Sequence, residues 1–210
     1  MFDNFKSDIK AIKKNDPALK SIFEAFFCYP GLKAIRSHRK ANWFYKRGCF
    51  FIARVISQFS RWRTGIEIHP GANIGKGVFI DHGMGVVIGE TAVVGDDVII
   101  YHGVTLGASS IEKGKRHPTI KNGVIISNGA KILGNIVVGE NSKIGSGSVV
   151  VKDVPANCTV VGIPGKVIIQ NNRKINKEMI DPVAQDIKYL KDRVSQLEEM
   201  VYELTETEIL

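Results

Sequence analysis

Cysteine is scarce in this sequence. Cys28, Cys49 and Cys158 are odd in number, far apart and never in a CxxC pair. That excludes a disulfide framework and a zinc finger, and it points to a reducing compartment. Long hydrophobic runs are missing too. The longest candidate, residues 48–56, is interrupted by Arg54 and falls well short of the roughly 18 residues a membrane span needs. The first residues carry Asp3 and Asp8 and no signal-peptide core, so no membrane association is expected and the expected location is the cytoplasm. Aromatic residues make up only 8%, yet hydrophobic residues at 44% and charged residues at 24% exclude a disordered chain. The 210 residues suffice for one substantial domain with helical extensions.

Glycine is nearly absent from both ends. Only Gly31 and Gly48 precede Gly65, none follows Gly165, and 19 of the 21 lie between. Charge divides at similar places. Residues 1–64 hold 14 basic and 4 acidic side chains, residues 65–170 hold 9 and 8, and residues 171–210 hold 6 and 9. A basic segment suggests nucleic acid, an anionic surface, a phosphate-bearing ligand, or only a solvated helical face. It contains no nucleic-acid reading motif, so no nucleic-acid partner is expected. In residues 1–64, Ile9, Ile12, Leu19, Ile22, Phe23 and Phe26 recur at spacings of three and four, which predicts helices. Asp16-Pro17 reads as an N-cap with proline in the first turn, and Tyr29-Pro30-Gly31 as a break between helices.

Residues 65–170 repeat. Aliphatic residues recur every six: Ile68, Ile74 and Ile80; then Ile88, Val94, Ile100 and Leu106; then Ile120, Ile126, Ile132, Val138, Ile144 and Val150. Small or apolar residues follow four later, as at Ala72, Val78, Ala92, Val98, Ala130 and Ser148. A period of six fits neither a helix nor a plain strand. It fits a β-solenoid of short strands and turns, each coil burying its neighbour's face. The breaks in phase are informative. Two extra residues follow Asp81-His82, and a polar loop from Ala108 to Thr119 contains Arg116-His117. Loops leaving a rigid scaffold are where function concentrates.

At these residues the sequence resembles a known family. The string GIEIHPGANIGKGVFIDHGMGVVIGETAVVGDDV, the loop ending KRHP and the strand TVVGIPGKV are similar to serine O-acetyltransferase over residues 10–170. The repeat alone is shared with sugar acetyltransferases, nucleotidyltransferase tails and gamma-class carbonic anhydrases; the combination of DHGMG, IGET and RHP is specific. The expected chain is α+β: an N-terminal α-helical segment (1–64), a parallel β-helix of hexapeptide repeats (65–170), whose left hand and three-sided coils the resemblance implies, and a C-terminal coiled-coil helix (171–210). The implied reaction moves acetyl from acetyl-CoA to the hydroxyl of L-serine, giving O-acetyl-L-serine and CoA, the first step from serine to cysteine. The alternative is a hexapeptide O-acetyltransferase for a sugar or other small hydroxyl acceptor, which would offer no carboxylate for Arg116 to hold.

An alcohol must lose its proton as it attacks a thioester, and histidine is the natural general base. A carboxylate fixes its tautomer and stabilises the imidazolium. By resemblance the base is His82 and its partner Glu67, where many relatives carry aspartate. Serine brings a carboxylate and an ammonium. Arg116 can grip the carboxylate as a bidentate fork with His117 beside it, and Asp81 and Asp16 can receive the ammonium. His69 is expected to support Glu67 or His82, and His102 to be structural. No three-ligand spacing among the histidines makes a metal site. The family's acetyl-CoA lies between two neighbouring solenoids. The matching positions here are Ala108, Ser109, Asn128 and Ser146, with Lys131 and Lys143 as phosphate partners. L-Cysteine, with a thiol in place of the hydroxyl, is the expected inhibitor.

The last segment carries a heptad. Ile180, Ile187, Val194 and Val201 fall at a, and Leu190, Leu197 and Leu204 at d, with Val183 opening the d series. In a parallel coil Asp186 meets Lys191 and Arg193 meets Glu198, both pairs opposite in sign. Branched a with leucine d favours two strands, whereas the family resemblance implies a homotrimer or a dimer of trimers. The family also docks its C-terminus into O-acetylserine sulfhydrylase through a terminal isoleucine. This chain ends Glu208-Ile209-Leu210.

Overall fold

The computed structural model describes residues 2–175 and 182–207. Two compact units, Met1–Ile175 and Asn176–Leu210, divide the chain. In the first, four helices precede the strands: α1 (Phe2–Asn15), α2 (Ile22–Cys28), α3 (Pro30–Tyr45) and α4 (Phe50–Thr64). Tyr29-Pro30-Gly31 does separate two helices, because proline at the first position of α3 has no N–H to lose there. Asp16-Pro17 caps no helix. Asp16 lies in a turn after α1, its carboxylate accepting the Ala18 N–H at 2.8 Å. The cap is made later: the Ser21 hydroxyl accepts the Glu24 N–H at 3.1 Å, and the Glu24 carboxylate accepts the Lys20 N–H at 2.9 Å. These reciprocal bonds satisfy two orphan donors and start α2 at Ile22.

Thirteen short strands follow in strict rotation among three sheets. The first sheet takes β1 (Glu67–Ile68), β4 (Val87–Ile88), β7 (Thr105–Gly107), β10 (Lys131–Leu133) and β13 (Val149–Val150). The second takes β2 (Asn73–Ile74), β5 (Val93–Val94), β8 (Thr119–Ile120) and β11 (Val137–Val138). The third takes β3 (Phe79–Ile80), β6 (Ile99–Ile100), β9 (Ile125–Ile126) and β12 (Lys143–Ile144). Every pairing among them is parallel. The chain thus winds through three-sided coils, and the period of six is one side. Every aliphatic of the repeat is buried except Ile74, which is half-buried. An antiparallel extension ends the unit: β14 (Cys158–Val161), β15 (Lys166–Gln170) and β16 (Arg173–Lys174) join the third sheet. Strand pairing therefore continues past residue 170.

The helices close the open end of the coils. Ala34 and Ile35 of α3 enter the solenoid core, while Ile9, Ile12, Ala25 and Leu32 cover Phe79 on the outer side of β3. Gly31 allows this approach, since a Cβ there would lie 2.1 Å from the Ile80 carbonyl oxygen. The second unit is α5 (Pro182–Thr207), on which Ile187, Leu190, Val194, Leu197 and Val201 are exposed. Ile180, Asp181 and the terminal Glu208-Ile209-Leu210 lie outside the described residues, as do the side chains of Val183, Asp186 and Leu204.

Candidate active site

Three-sided coils have three edges, and the predicted residues of the solenoid fall on or beside two of them, Asp16 lying apart in the turn after α1. The edge from the third sheet to the first carries Asp81 and His82 after β3, His102 after β6, Asn128 after β9 and Ser146 after β12. The edge from the first sheet to the second carries His69 after β1, Glu90 and Thr91 after β4, and the loop from Ala108 and Ser109 to Arg116 and His117 after β7. Glu67 opens β1 beside the His82 loop: its N–H donates to the Val86 carbonyl at 2.9 Å.

The His82 edge is open. His82 sits at φ 57 in the left-handed region, a strained setting for a non-glycine residue and one that clusters at functional sites. Its side chain is 75% exposed, with Nε2 3.8 Å from Asp81 Oδ2. Its ring makes an edge contact with His102, centroids 5.9 Å apart. Asp16 stands close enough to interact electrostatically with His82. Its carboxyl lies below the usual range because the Tyr29 hydroxyl donates to it, with help from the Ala18 N–H. Ser146 and Asn128 face each other across a coil, Oγ to Oδ1 2.7 Å. The expected hydrogen bond between His82 and Glu67 is not formed. Glu67 is held instead by Arg61 of α4, at 3.3 Å.

The opposite edge is tightly bonded. Arg116 Nη2 donates to Glu90 Oε2 at 2.5 Å, and Tyr45 donates to Glu90 Oε1 at 2.8 Å. These two donors hold the Glu90 carboxyl below its ordinary range. The Thr91 hydroxyl accepts the N–H groups of Arg116 (3.0 Å) and His117 (3.1 Å), so its own proton goes to His117 Nδ1, 2.9 Å away. The Thr91 N–H also donates to Nδ1, at 3.2 Å. Nδ1 is thus an acceptor, and neutral His117 carries its proton on Nε2. Burial, then the charge of Arg116, push the His117 pKa down, which favours that neutral form. His69 belongs here and not with His82. Its Nδ1 accepts the Gly71 N–H at 3.0 Å and its ring packs against Tyr45. Glu67 and His69 share a face of β1, but His69 stands at the far end of it. His102 is the histidine that meets His82.

A groove of about 890 Å³ lies between α3 and the second sheet, lined in part by His38, Asn42, Trp43, Asn73 and Asp96, and it contains none of the predicted site residues. Among the described residues no group of three His, Cys, Asp or Glu could hold a metal ion, and no helix is long and apolar enough to cross a membrane.

Residues 117–152 match the bacterial transferase hexapeptide (six repeats) family. The serine acetyltransferase of Bacillus subtilis is 54% identical over 201 residues, covering 93% of each chain. The chain belongs to the serine acetyltransferase family. The crystal structure of the Brucella abortus serine acetyltransferase with coenzyme A superposes with a TM-score of 0.79 and 46% identity, covering 80% of this chain and 68% of that one. The Neisseria gonorrhoeae serine acetyltransferase with serine gives a TM-score of 0.77 and 43% identity, covering 80% and 69%.

Within this serine acetyltransferase fold, sequence reasoning passed over Glu90, Thr91, Tyr45 and Tyr29. Glu90 and Thr91 stand in the quoted IGET, so their motif was visible while their bonds to Arg116 and His117, some 26 residues on, were not. Tyr45 and Tyr29 carried no signal beyond being aromatic residues near helix ends.

Proposed function

We propose that the chain transfers the acetyl group of acetyl-CoA to the hydroxyl of L-serine, at a site that two copies build together. The observation that carries this is the division of the predicted residues between two edges. Residues 86–89 separate those edges; at about 3.3 Å per extended residue they lie roughly 13 Å apart, too far for one serine to touch both. A neighbouring copy in a trimer would bring the Arg116 edge of one chain to the His82 edge of the next. The left-handed coil and the trimer are the family's arrangement, and the split edges support the trimer.

In that site His82 takes the serine hydroxyl proton as the oxygen attacks the thioester carbonyl, and returns it to the departing thiolate. Glu67, released from Arg61, orients the imidazole and steadies its charge. Arg116 and the Nε2–H of His117 hold the serine carboxylate, while Asp16 and Asp81 hold the ammonium. The acetyl-CoA groove runs between Ala108 and Ser109 of one copy and Asn128 and Ser146 of the next. Lys131 and Lys143 are exposed and fit its phosphates. L-Cysteine competes with serine, because it keeps both charged groups. The exposed stripe of α5 supports a parallel coiled coil, and Phe51, Phe59 and Trp62, exposed on α4, fit further contacts between copies. A cytoplasmic location completes this reading. The helical segment 1–64, the catalytic solenoid from residue 65, with its strand pairing carried to Lys174, and the C-terminal helix are its three parts.

The test is thiol release by chains co-expressed as His82→Ala and Arg116→Ala. Each variant alone is expected to be inactive with serine. Random mixing in a cyclic trimer leaves about a quarter of the sites with both residues intact, so activity with serine, and none with a sugar, should return to about that fraction. Mixed trimers without recovered activity would place the whole site in one chain.

A further inference from the structure

Tyr29 has no part in the site just proposed, yet its hydroxyl points at it. The residue ends α2 and precedes α3, with φ −91 and ψ 107, and makes no cap bond of its own. Its hydroxyl donates instead to Asp16 Oδ2 at 2.5 Å, across 13 residues of chain. The other oxygen, Oδ1, accepts the Ala18 N–H. Each oxygen of Asp16 therefore has one neutral donor. Elsewhere in this unit the carboxylates of Asp8 and Glu90 are matched by the guanidinium groups of Arg39 and Arg116. Among the described residues Asp16 makes no ion pair with Lys, Arg or His, and His82 acts on it only at a distance. Neutral donors aim a carboxylate without cancelling it, and the remaining lone pairs are free to accept from a cation.

The anchorage of Tyr29 is unusually firm. Pro30 fixes φ at the next residue, and Gly31 lies so close to the Ile80 carbonyl that a Cβ would be 2.1 Å from its oxygen. Ile80 directly precedes Asp81 and His82. The ring that holds Asp16 is thus fastened to the strand that presents the base. Asp81 and Glu24 are the acidic groups that also act on Tyr29, and His82 is the basic group that acts on Asp16.

We propose that Tyr29 is a positioning residue for the acceptor's ammonium group, aiming the Asp16 carboxylate so that the ammonium sits between Asp16 and Asp81 with its hydroxyl toward His82. This rests on the serine site above, and it adds a specificity device: an acceptor without a cationic group gains nothing from Tyr29. Burial and the charge of Asp16 raise the phenol's pKa, so it remains a donor throughout the working range.

The experiment compares Tyr29→Phe, Asp16→Asn and the double variant as full-length enzymes, by serine and acetyl-CoA saturation, melting temperature and pH profile. Tyr29→Phe should raise the serine KM about tenfold, the cost of ordering one side chain on binding that the free enzyme no longer holds in place. It should leave kcat and the acetyl-CoA KM within about twofold, and the melting temperature unmoved. The acid limb of kcat/KM for serine should move to higher pH, since Asp16 loses the donor that favours its ionised form. In the Asp16→Asn background Tyr29→Phe should add nothing. If Asp16→Asn raises the serine KM and Tyr29→Phe does not, Tyr29 is overturned and Asp16 keeps its place. Should Asp16→Asn leave the serine KM unchanged, the ammonium reading of Asp16 fails and Tyr29 fails with it. Additive losses in the double variant, or both KM values rising as the melting temperature falls, would make Tyr29 structural and overturn the proposal.

Discussion

The two working edges of the solenoid each carry a histidine beside a charged neighbour and treat it in opposite ways. His82 has a 75% exposed side chain in a left-handed turn, with one carboxylate 3.8 Å away. His117 is 8% exposed, its Nδ1 receives two bonds from Thr91, and the neighbouring Arg116 is tied to Glu90. The difference matches two tasks. In the proposed site a residue that collects a proton must be reachable, its surroundings being completed by the substrate and a second copy. A residue that grips a carboxylate works best when its donors are already aimed, because less order is then lost on binding.

The largest expected break in this comparison comes from His82→Ala. Turnover should fall roughly 10²–10⁴-fold, the usual worth of a general base. The melting temperature should stay put, because little buried contact is lost. Near-normal turnover would remove His82 from its role. On the other edge, Gly89→Ala attacks the aim of His117 without touching its chemistry. A Cβ there would lie 2.0 Å from Cδ2 and Nε2 of the His117 ring, so the ring must shift. Displacement of that size costs on the order of 10²-fold in kcat/KM, and it should fall on serine with acetyl-CoA saturation nearly unchanged. An unaffected serine dependence would show that the tight edge is not the gripping one.

A third histidine extends the comparison to the interior. His38 of α3 is buried with Nδ1 unpartnered, and burial pushes its pKa down to about 4. The unfolded chain takes up that proton below about pH 6.5, the folded chain only near 4. Its contribution to stability is therefore fully present above pH 6.5 and is lost as pH falls toward 4, by up to about 3 kcal/mol. Denaturant unfolding across that window should show the slope, and His38→Leu should flatten it; equal slopes in both proteins would assign the loss to other groups. The smallest effect is expected at Asn128, exposed and bonded to Ser146. If turn backbones hold the acetyl-CoA arm, Asn128→Ala should change the acetyl-CoA KM by less than about threefold, a surface-scale effect. A larger rise would mean that the side chain itself binds.

Much of this could be read along the chain. A period of six with glycine at the breaks dictates short strands, turns and a filled interior, because which face of a coil is buried is a local property of each repeat. The two breaks in phase located Asp81-His82 and Arg116-His117. The heptad of the tail likewise states its apolar stripe in spacing alone. Misreadings arose where a choice depended on a competing partner. Asp16 looked like a helix cap, but Ser21 and Glu24 made the better one. His69 and Glu67 are neighbours in sequence and on one strand face, yet they serve opposite edges.

Sequence alone determined the coil, its glycine-rich turns, the family motifs and the residues capable of the chemistry, since each is encoded within a few consecutive positions. Tertiary structure decided which of those residues meet. It gave Arg116 to Glu90, His117 to Thr91 and Glu67 to Arg61, and it tied Asp16 to Tyr29. It also set His82 and Arg116-His117 on separate edges. The physical reason is that hydrogen bonds and ion pairs act over about 3 Å whatever the distance along the chain. Only the stacking of coils, which sets the edge each turn occupies, brings such partners within reach or keeps them apart.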